Sequence, residues 1–293
     1  MDKKYIISLF LALGFLAVFA FFPIEKSSQL LQKPTIKQSW PQPEIEAEAA
    51  MAQNLVTGKI LFSKNSDIAL PLASLTKIVT LLVVLDHNNL DEPVLISKDA
   101  IAIPEPSSLR AGEYLKVRDL AAMAMVESSN DAVYALFEHT YKKNRILPEY
   151  AEGWFLNLMR EKAKSMGTHS MNFENVTGLD ISLTIPGAYG STEDILRLAK
   201  INIASRLWQF GSVREVVSSK DIRHILKLTN MLDSDLTSLV GAKTGYTDLA
   251  GGNLLIIVEY PLGNPIGIVV LGSSENGRFE DVKKILSWIK ITQ

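Results

Sequence analysis

Ser74 and Lys77 stand three residues apart at the head of an apolar run, Ile78 to Leu85, which only Thr80 interrupts. The run predicts a helix over 74–88 that is buried on most sides. Positions i and i+3 share a helix face, with Cβ atoms about 5–6 Å apart, so hydroxyl and amine can touch. A serine hydroxyl near its free pKa is a weak nucleophile and needs an adjacent base. A lysine withdrawn from water has a lowered pKa and can be that base. A capping serine beside a lysine that snorkels to solvent would have the same spacing. It recurs at Ser287 and Lys290, where a solvated amphipathic helix accounts for it.

Two further motifs carry polar chemistry. Ser128-Ser129-Asn130 falls at a break between two predicted helices, where side chains can project into a cleft; an N-cap cluster for the second helix is the alternative. Ser-x-Asn also occurs at Ser63/Asn65, Ser170/Asn172 and Ser274/Asn276, so alone it says little. Lys243-Thr244-Gly245 occurs once, opening a predicted strand. An exposed strand edge can pair with an extended peptide through main-chain hydrogen bonds. Gly245 would let the substrate backbone approach, and Lys243 would offer positive charge to a terminal carboxylate. The plain reading is a hairpin approach with a solvated lysine.

The elements that must position these residues are legible from period and punctuation. Strands are predicted over 51–56 and 60–62 around Thr57-Gly58-Lys59, and again over 222–228, 242–247, 254–259 and 266–271. Helices are predicted from 117 to 127, with Leu120, Met123 and Ala124 on one stripe, and from 131 to 141, with Val133, Leu136 and Phe137. Others run from 148 to 166, closed by Gly167, from the capping box Ser191-Thr192-Glu193-Asp194 to about 204, and from 278 to 290. Residues 173–183 read as irregular. Strands at both ends with helices between them predict an α+β fold, an antiparallel sheet with a helical lobe.

Composition bounds the function. The 293 residues carry a net charge of -2 and no basic block, which argues against a nucleic-acid partner. There is no cysteine, and the four histidines, His87, His139, His169 and His224, are scattered, so no metal or cofactor is placed. After Lys3 and Lys4, Tyr5 to Ile24 are uncharged and mostly apolar, long enough for a bilayer core of about 30 Å. Residues 1–24 therefore read as an N-terminal membrane anchor, with a cleaved signal peptide as the alternative. The two lysines keep that end cytoplasmic and place the remainder outside the plasma membrane, either single-pass or, after cleavage, secreted or periplasmic. Residues 25–44, with Pro34, Pro41 and Pro43, read as a flexible linker, and 45–293 as the catalytic domain.

In order, Ser-x-x-Lys, Ser-x-Asn and Lys-Thr-Gly are the motif set of penicillin-binding proteins and β-lactamases. Their surroundings narrow the resemblance: Thr57-Gly58 with Leu61 and Asn65, Ala73-Ser74-Leu75-Thr76-Lys77, Ser128-Ser129-Asn130-Asp131-Ala132, Asn175 with Gly178-Leu179, Thr229-Asn230 with Leu232, and Gly241 to Thr247. From about Ala49 onward the chain resembles the low-molecular-mass D-alanyl-D-alanine carboxypeptidases. The resemblance implies the β-lactamase/transpeptidase-like fold and a peptidoglycan stem peptide as substrate, with β-lactam antibiotics as covalent inhibitors. It implies Ser74 as nucleophile, Lys77 as base and Ser128 as proton relay. Asn130, Lys243, Thr244, Gly245 and Tyr246 would bind substrate, with the Ser74 and Tyr246 N–H groups as oxyanion hole.

One departure is Ser129, where the family usually has glycine, so that a hydroxyl is expected beside the cleft. Many members also carry a C-terminal β-sandwich, whereas this sequence stops after its last predicted helix. Two rivals share the motifs. A class A-like β-lactamase needs a Glu-x-x-x-Asn segment between Asn130 and Lys243; Glu174-Asn175 has the wrong spacing. A D,D-endopeptidase cleaving cross-links would use identical catalytic residues. A catalytically dead, membrane-tethered scaffold that binds wall peptides is the non-enzymatic alternative.

Overall fold

Strands from the beginning and the end of the globular part meet in one sheet. The computed structural model describes residues 40–232, 236 and 238–292. The expected anchor Tyr5–Ile24 lies outside the described residues; among those described, no helix is long and apolar enough to cross a membrane.

In chain order, β1 (Ala49–Asn54) and β2 (Ile60–Lys64) form the expected hairpin, where Gly58 has a φ of +77°. After β3 (Leu70–Pro71) comes a 3-10 turn, Ala73–Leu75, leading into α1 (Thr76–His87). The lobe continues with β4 (Pro93–Leu95), α2 (Lys98–Ile101), β5 (Tyr114–Lys116), α3 (Val117–Val126), α4 (Asn130–Lys143) and α5 (Pro148–Ser165). Then follow β6 (Asn172–Phe173), β7 (Ala188–Gly190), α6 (Thr192–Ile201), the hairpin β8 (Glu215–Val217) and β9 (Arg223–Ile225), β10 (Leu239–Thr247), β11 (Gly251–Glu259), β12 (Pro265–Ser273) and α7 (Gly277–Thr292).

The main sheet is antiparallel in the order β10-β11-β12-β1-β2, with Met51 opposite Val269 and Leu255 opposite Val269 on the other side. An inner strand, β11, explains its own sequence. Leu254, Ile256 and Val258 point to one core, while Leu255 and Ile257 point to the other. Successive side chains alternate faces, so an unbroken apolar run marks a strand covered on both. One face packs on α7 through Phe279, Val282, Ile285 and Ile289. The other meets the helical lobe, where nearly every residue of α1 from Thr76 to Val84 is buried. Each fully buried large aliphatic contributes about 1.5–3 kcal/mol.

Two expectations need correction. The strand predicted over 222–228 is short and pairs only with β8. Beyond it the backbone turns to α3: Thr229 donates through both N–H and hydroxyl to Val126 O, satisfying a helix-end carbonyl instead of extending a ladder. The helix expected to begin at Ser74 begins at Thr76, because Ala73 has a φ of +47° and the next residues wind as 3-10.

The start of the chain's globular part is fastened to α7 by a buried carboxylate. Asp281 accepts from Glu46 N at 2.9 Å and from Ala47 N and Ser273 Oγ at 2.8 Å. Asp281→Ala would orphan all three donors. We expect a loss of about 3 kcal/mol or more by urea denaturation; a change of under about 0.5 kcal/mol would contradict this role.

Candidate active site

Ser74 sits in the 3-10 turn that heads α1. The left-handed Ala73 before it is held by two neighbours: Thr76 Oγ1 donates to Ala73 O at 2.7 Å, and Gly178 packs against the same carbonyl. A Cβ on Gly178 would fall 2.0 Å from Ala73 O, so only glycine fits there. Strained backbone of this kind persists where its surroundings over-determine it.

One turn further on, Lys77 is fully buried. Its Nζ lies 2.6 Å from Ser74 Oγ and donates to Thr177 O at 2.8 Å. Burial pushes its pKa from 10.5 down to about 7, against an opposing pull from Glu105. A neutral amine keeps one lone pair, and that lone pair can take the Ser74 proton. The snorkelling alternative is excluded by the burial.

Ser128 occupies the break between α3 and α4 with a φ of +62°, a second strained turn at the site. Lys243 Nζ donates to Ser128 Oγ at 2.9 Å and to Thr244 O at 2.8 Å. Lys243 is only 1% exposed, which contradicts the solvated-lysine reading. Burial, then the charges of Lys77 and Arg278, hold its pKa well below the usual lysine range. It is therefore a poor fixed positive charge. That role falls to Arg278, unforeseen in the sequence, which lines the same cleft from α7 and donates to Gly245 O at 2.7 Å. Nothing in its spacing marks it; only the packing of α7 behind β10 brings it to the site.

The cluster 128–130 divides its labour. Ser129 is the N-cap of α4: its hydroxyl accepts from Ala132 N at 3.0 Å and bonds Asp131. Ser129 lines the cleft, as expected, with its hydroxyl bonded at the helix end. Asp131 also accepts from Ser107 N and Oγ, both at 2.9 Å, and Asn130 Nδ2 donates to Pro104 O at 3.1 Å, which fixes the loop 104–107 along one wall. Asn130 Oδ1 is buried without a partner.

On the facing wall, Thr244 Oγ1 bonds Thr229 Oγ1 at 2.7 Å, and Tyr246 is 46% exposed at the cleft edge. Gly245 has a reason other than the expected one. A Cβ there would lie 3.0 Å from Leu72 O and 3.1 Å from Ser74 N, so the close approach is between β10 and the nucleophile turn. That approach sets Gly245 beside the backbone N of Ser74. The cleft has a volume of about 520 Å³ and is lined by Ser74, Ser128, Asn130, Thr244, Gly245 and Tyr246 among others. A cavity of about 650 Å³ shares Glu105 and Tyr246 with it and reaches Thr177.

A serine bonded to a buried lysine, faced by a second serine on a second buried lysine beside a strand edge, defines a serine acyl-transfer site. The comparisons agree with that class. Residues 36–275 match the peptidase family described as D-alanyl-D-alanine carboxypeptidase, and the chain belongs to that family. It is 28% identical to the D-alanyl-D-alanine carboxypeptidase DacC of Escherichia coli, over 86% of this chain and 63% of that protein. It is 27% identical to the D-alanyl-D-alanine endopeptidase of the same organism, over 98% of this chain and 89% of that one. The solved penicillin-binding protein D2 of Listeria monocytogenes, in its cefotaxime-bound form, superposes with a TM-score of 0.71 at 26% identity, covering 86% of this chain and all of that one.

The Ser74–Lys77 pair sets a pH dependence. The neutral amine is the active form, so below a pKa of about 7 the competent fraction falls about tenfold per pH unit. The rate of Ser74 acylation by benzylpenicillin should rise to pH about 7 and level off above it. A profile that goes on rising to pH about 10 would contradict the lowered Lys77 pKa.

Proposed function

We propose that this protein is a serine D,D-peptidase that removes the terminal D-alanine from peptidoglycan stem peptides. The observation that carries the reading is the 2.6 Å contact between Ser74 Oγ and the fully buried Lys77 amine. Lys77 takes the hydroxyl proton as Ser74 Oγ bonds to the carbonyl carbon between the last two D-alanines. The negative charge that develops on the carbonyl oxygen meets the N–H groups of Ser74 and Tyr246; one such donor is worth about 3–4 kcal/mol. As the C–N bond breaks, Ser128 gives its proton to the departing amine and is reprotonated with the one that Lys77 took from Ser74, so both groups return to their starting states. Lys243, at 2.9 Å, holds the Ser128 hydroxyl in place. Asn130 Oδ1, without a partner in the structure, accepts the substrate amide N–H, and Arg278 pairs with the terminal carboxylate. Water then cleaves the acyl-enzyme and Ser74 recovers its proton.

A β-lactam offers the same carbonyl and carboxylate in a strained ring, which supports covalent inhibition at Ser74. Rapid lactam turnover is disfavoured, because Glu174 accepts from Asn172 Nδ2 and, among the described residues, no bond ties it to Ser74. The uncharged run Tyr5–Ile24 supports work at the membrane's outer side, where the wall is built.

Ser74→Ala should abolish both D-alanine release and labelling by a fluorescent penicillin, while Lys77→Met should slow acylation by roughly 10²–10⁴-fold. Undiminished labelling of Ser74→Ala would overturn the nucleophile assignment.

A further inference from the structure

The second cavity, of about 650 Å³, takes no part in the steps above, although its size is that of a ligand pocket. It adjoins the cleft at Glu105 and Tyr246, which line both. On the D,D-peptidase reading, on which this inference rests, the direction of the bound peptide says what enters it. The terminal carboxylate lies toward Arg278 and the attacked carbonyl at Ser74, both in the first cleft. The acyl side of that carbonyl runs the other way, past Tyr246. There the edge strand β10 goes on to Thr247 and turns at Asp248, and both residues line the second cavity. An extended peptide paired with this edge is led into it.

The walls of the cavity have one sign of charge. Asp99, Glu105, Glu152, Asp180 and Asp248 line it, and among the described residues no lysine, arginine or histidine does. Asp180 accepts from Thr247 Oγ1 at 3.0 Å and Leu249 N at 3.1 Å, neutral donors that leave its charge unbalanced. No hydrogen bond or ion pair among the described residues reaches the carboxylates of Glu152 and Asp248.

Carboxylates at a surface are commonly just solvated. These surround aromatic rings. Phe137 and Tyr141, on α4, are 5% and 8% exposed with ring centroids 5.2 Å apart, and the Tyr134 ring lies 5.5 Å from that of Phe137. The Tyr141 hydroxyl has no hydrogen-bond partner among the described residues, whereas a buried tyrosine usually finds one. Burial first, then neighbouring acidic groups with Asp99 and Glu152 among them, raise the Tyr134 pKa, which registers the negative field at the rings. Lys142 stands 5.9 Å over the Tyr141 ring, but it is paired with Glu138 and does not line the cavity. Carboxylates, ring faces and an unused hydroxyl oxygen together suit a compact cation with hydrogens to give.

We propose that this cavity is a specificity subsite for the acyl part of the substrate, selecting peptides that carry a primary ammonium group ahead of the terminal D-alanyl-D-alanine. Glu152 and Asp248 supply the charge, and Tyr141 Oη accepts one ammonium N–H.

Three lysyl-D-alanyl-D-alanine peptides, each acetylated at the α-amine, test this in the full-length protein. One keeps the ε-ammonium free, one is ε-acetylated and one ε-succinylated. D-Alanine release should follow the order ammonium, acetyl, succinyl, with kcat/KM about tenfold higher for the first than for the second. The gap should narrow as salt rises from about 0.05 M to about 0.5 M, since exposed carboxylates are screened. Glu152→Gln combined with Asp248→Asn should slow release from the ammonium peptide about 3- to 10-fold. Tyr141→Phe should do so by a similar factor. Both variants should leave the acetylated peptide and penicillin labelling unchanged. Equal or reversed rates for the three peptides, or variants that slow all three alike, overturn the subsite. A wild type that cleaves none of them overturns the D,D-peptidase reading beneath it.

Discussion

The structure depends on taking one amine out of water. Burial disfavours the charged form of a lysine, and Lys77 is enclosed by α1 and the segment around Thr177, so its pKa settles near 7. An exposed lysine at the same spacing would stay an ammonium and could not accept a proton. Much of the surrounding architecture serves that enclosure. Gly178 lets the 176–178 segment close against Ala73, Thr80 Oγ1 donates to Val176 O at 2.7 Å, and α1 is buried along most of its length. The strain at Ala73 follows from the same closure, since the turn must bend back to present Ser74 over the amine.

The second lysine extends the principle. Lys243 is nearly as buried as Lys77, and after burial itself the charge of Lys77 is the next cause that holds its pKa down. Two buried amines with lowered pKa values each bond a serine, Lys77 with Ser74 and Lys243 with Ser128. The lasting positive charge in the cleft lies on the third group, Arg278, whose guanidinium stays protonated in proteins. In the proposed mechanism, separating the proton-transfer amines from the cation that would bind a carboxylate lets each perform a task the other would spoil.

How much of this was legible in the sequence varied with the range of the interaction. Ser74 and Lys77 could be paired because i and i+3 is a local relation, and β11 could be read from its unbroken aliphatics. The motif set brought Ser128 and Lys243 to the same cleft, though only by resemblance, since nothing local relates residues 115 positions apart. Ser129 stands beside the cleft as expected and also caps α4, two roles that look alike in sequence until Ala132 N is seen as the partner of its hydroxyl. Gly245 was marked for the approach of a substrate backbone; what only the packing reveals is how near it lies to the turn that carries Ser74. Arg278 and Thr177 were invisible, because their contacts are set by tertiary packing and no spacing announces them.

The central claim is that the amine beside Ser74 is largely uncharged at and above neutral pH before any substrate arrives. It can be measured directly by labelling lysine with ¹³C at Cε and following the Lys77 resonance against pH, assigned by its loss in Lys77→Met. A titration midpoint at about 7 is predicted; a midpoint at the ordinary lysine value of about 10.4 would contradict the account.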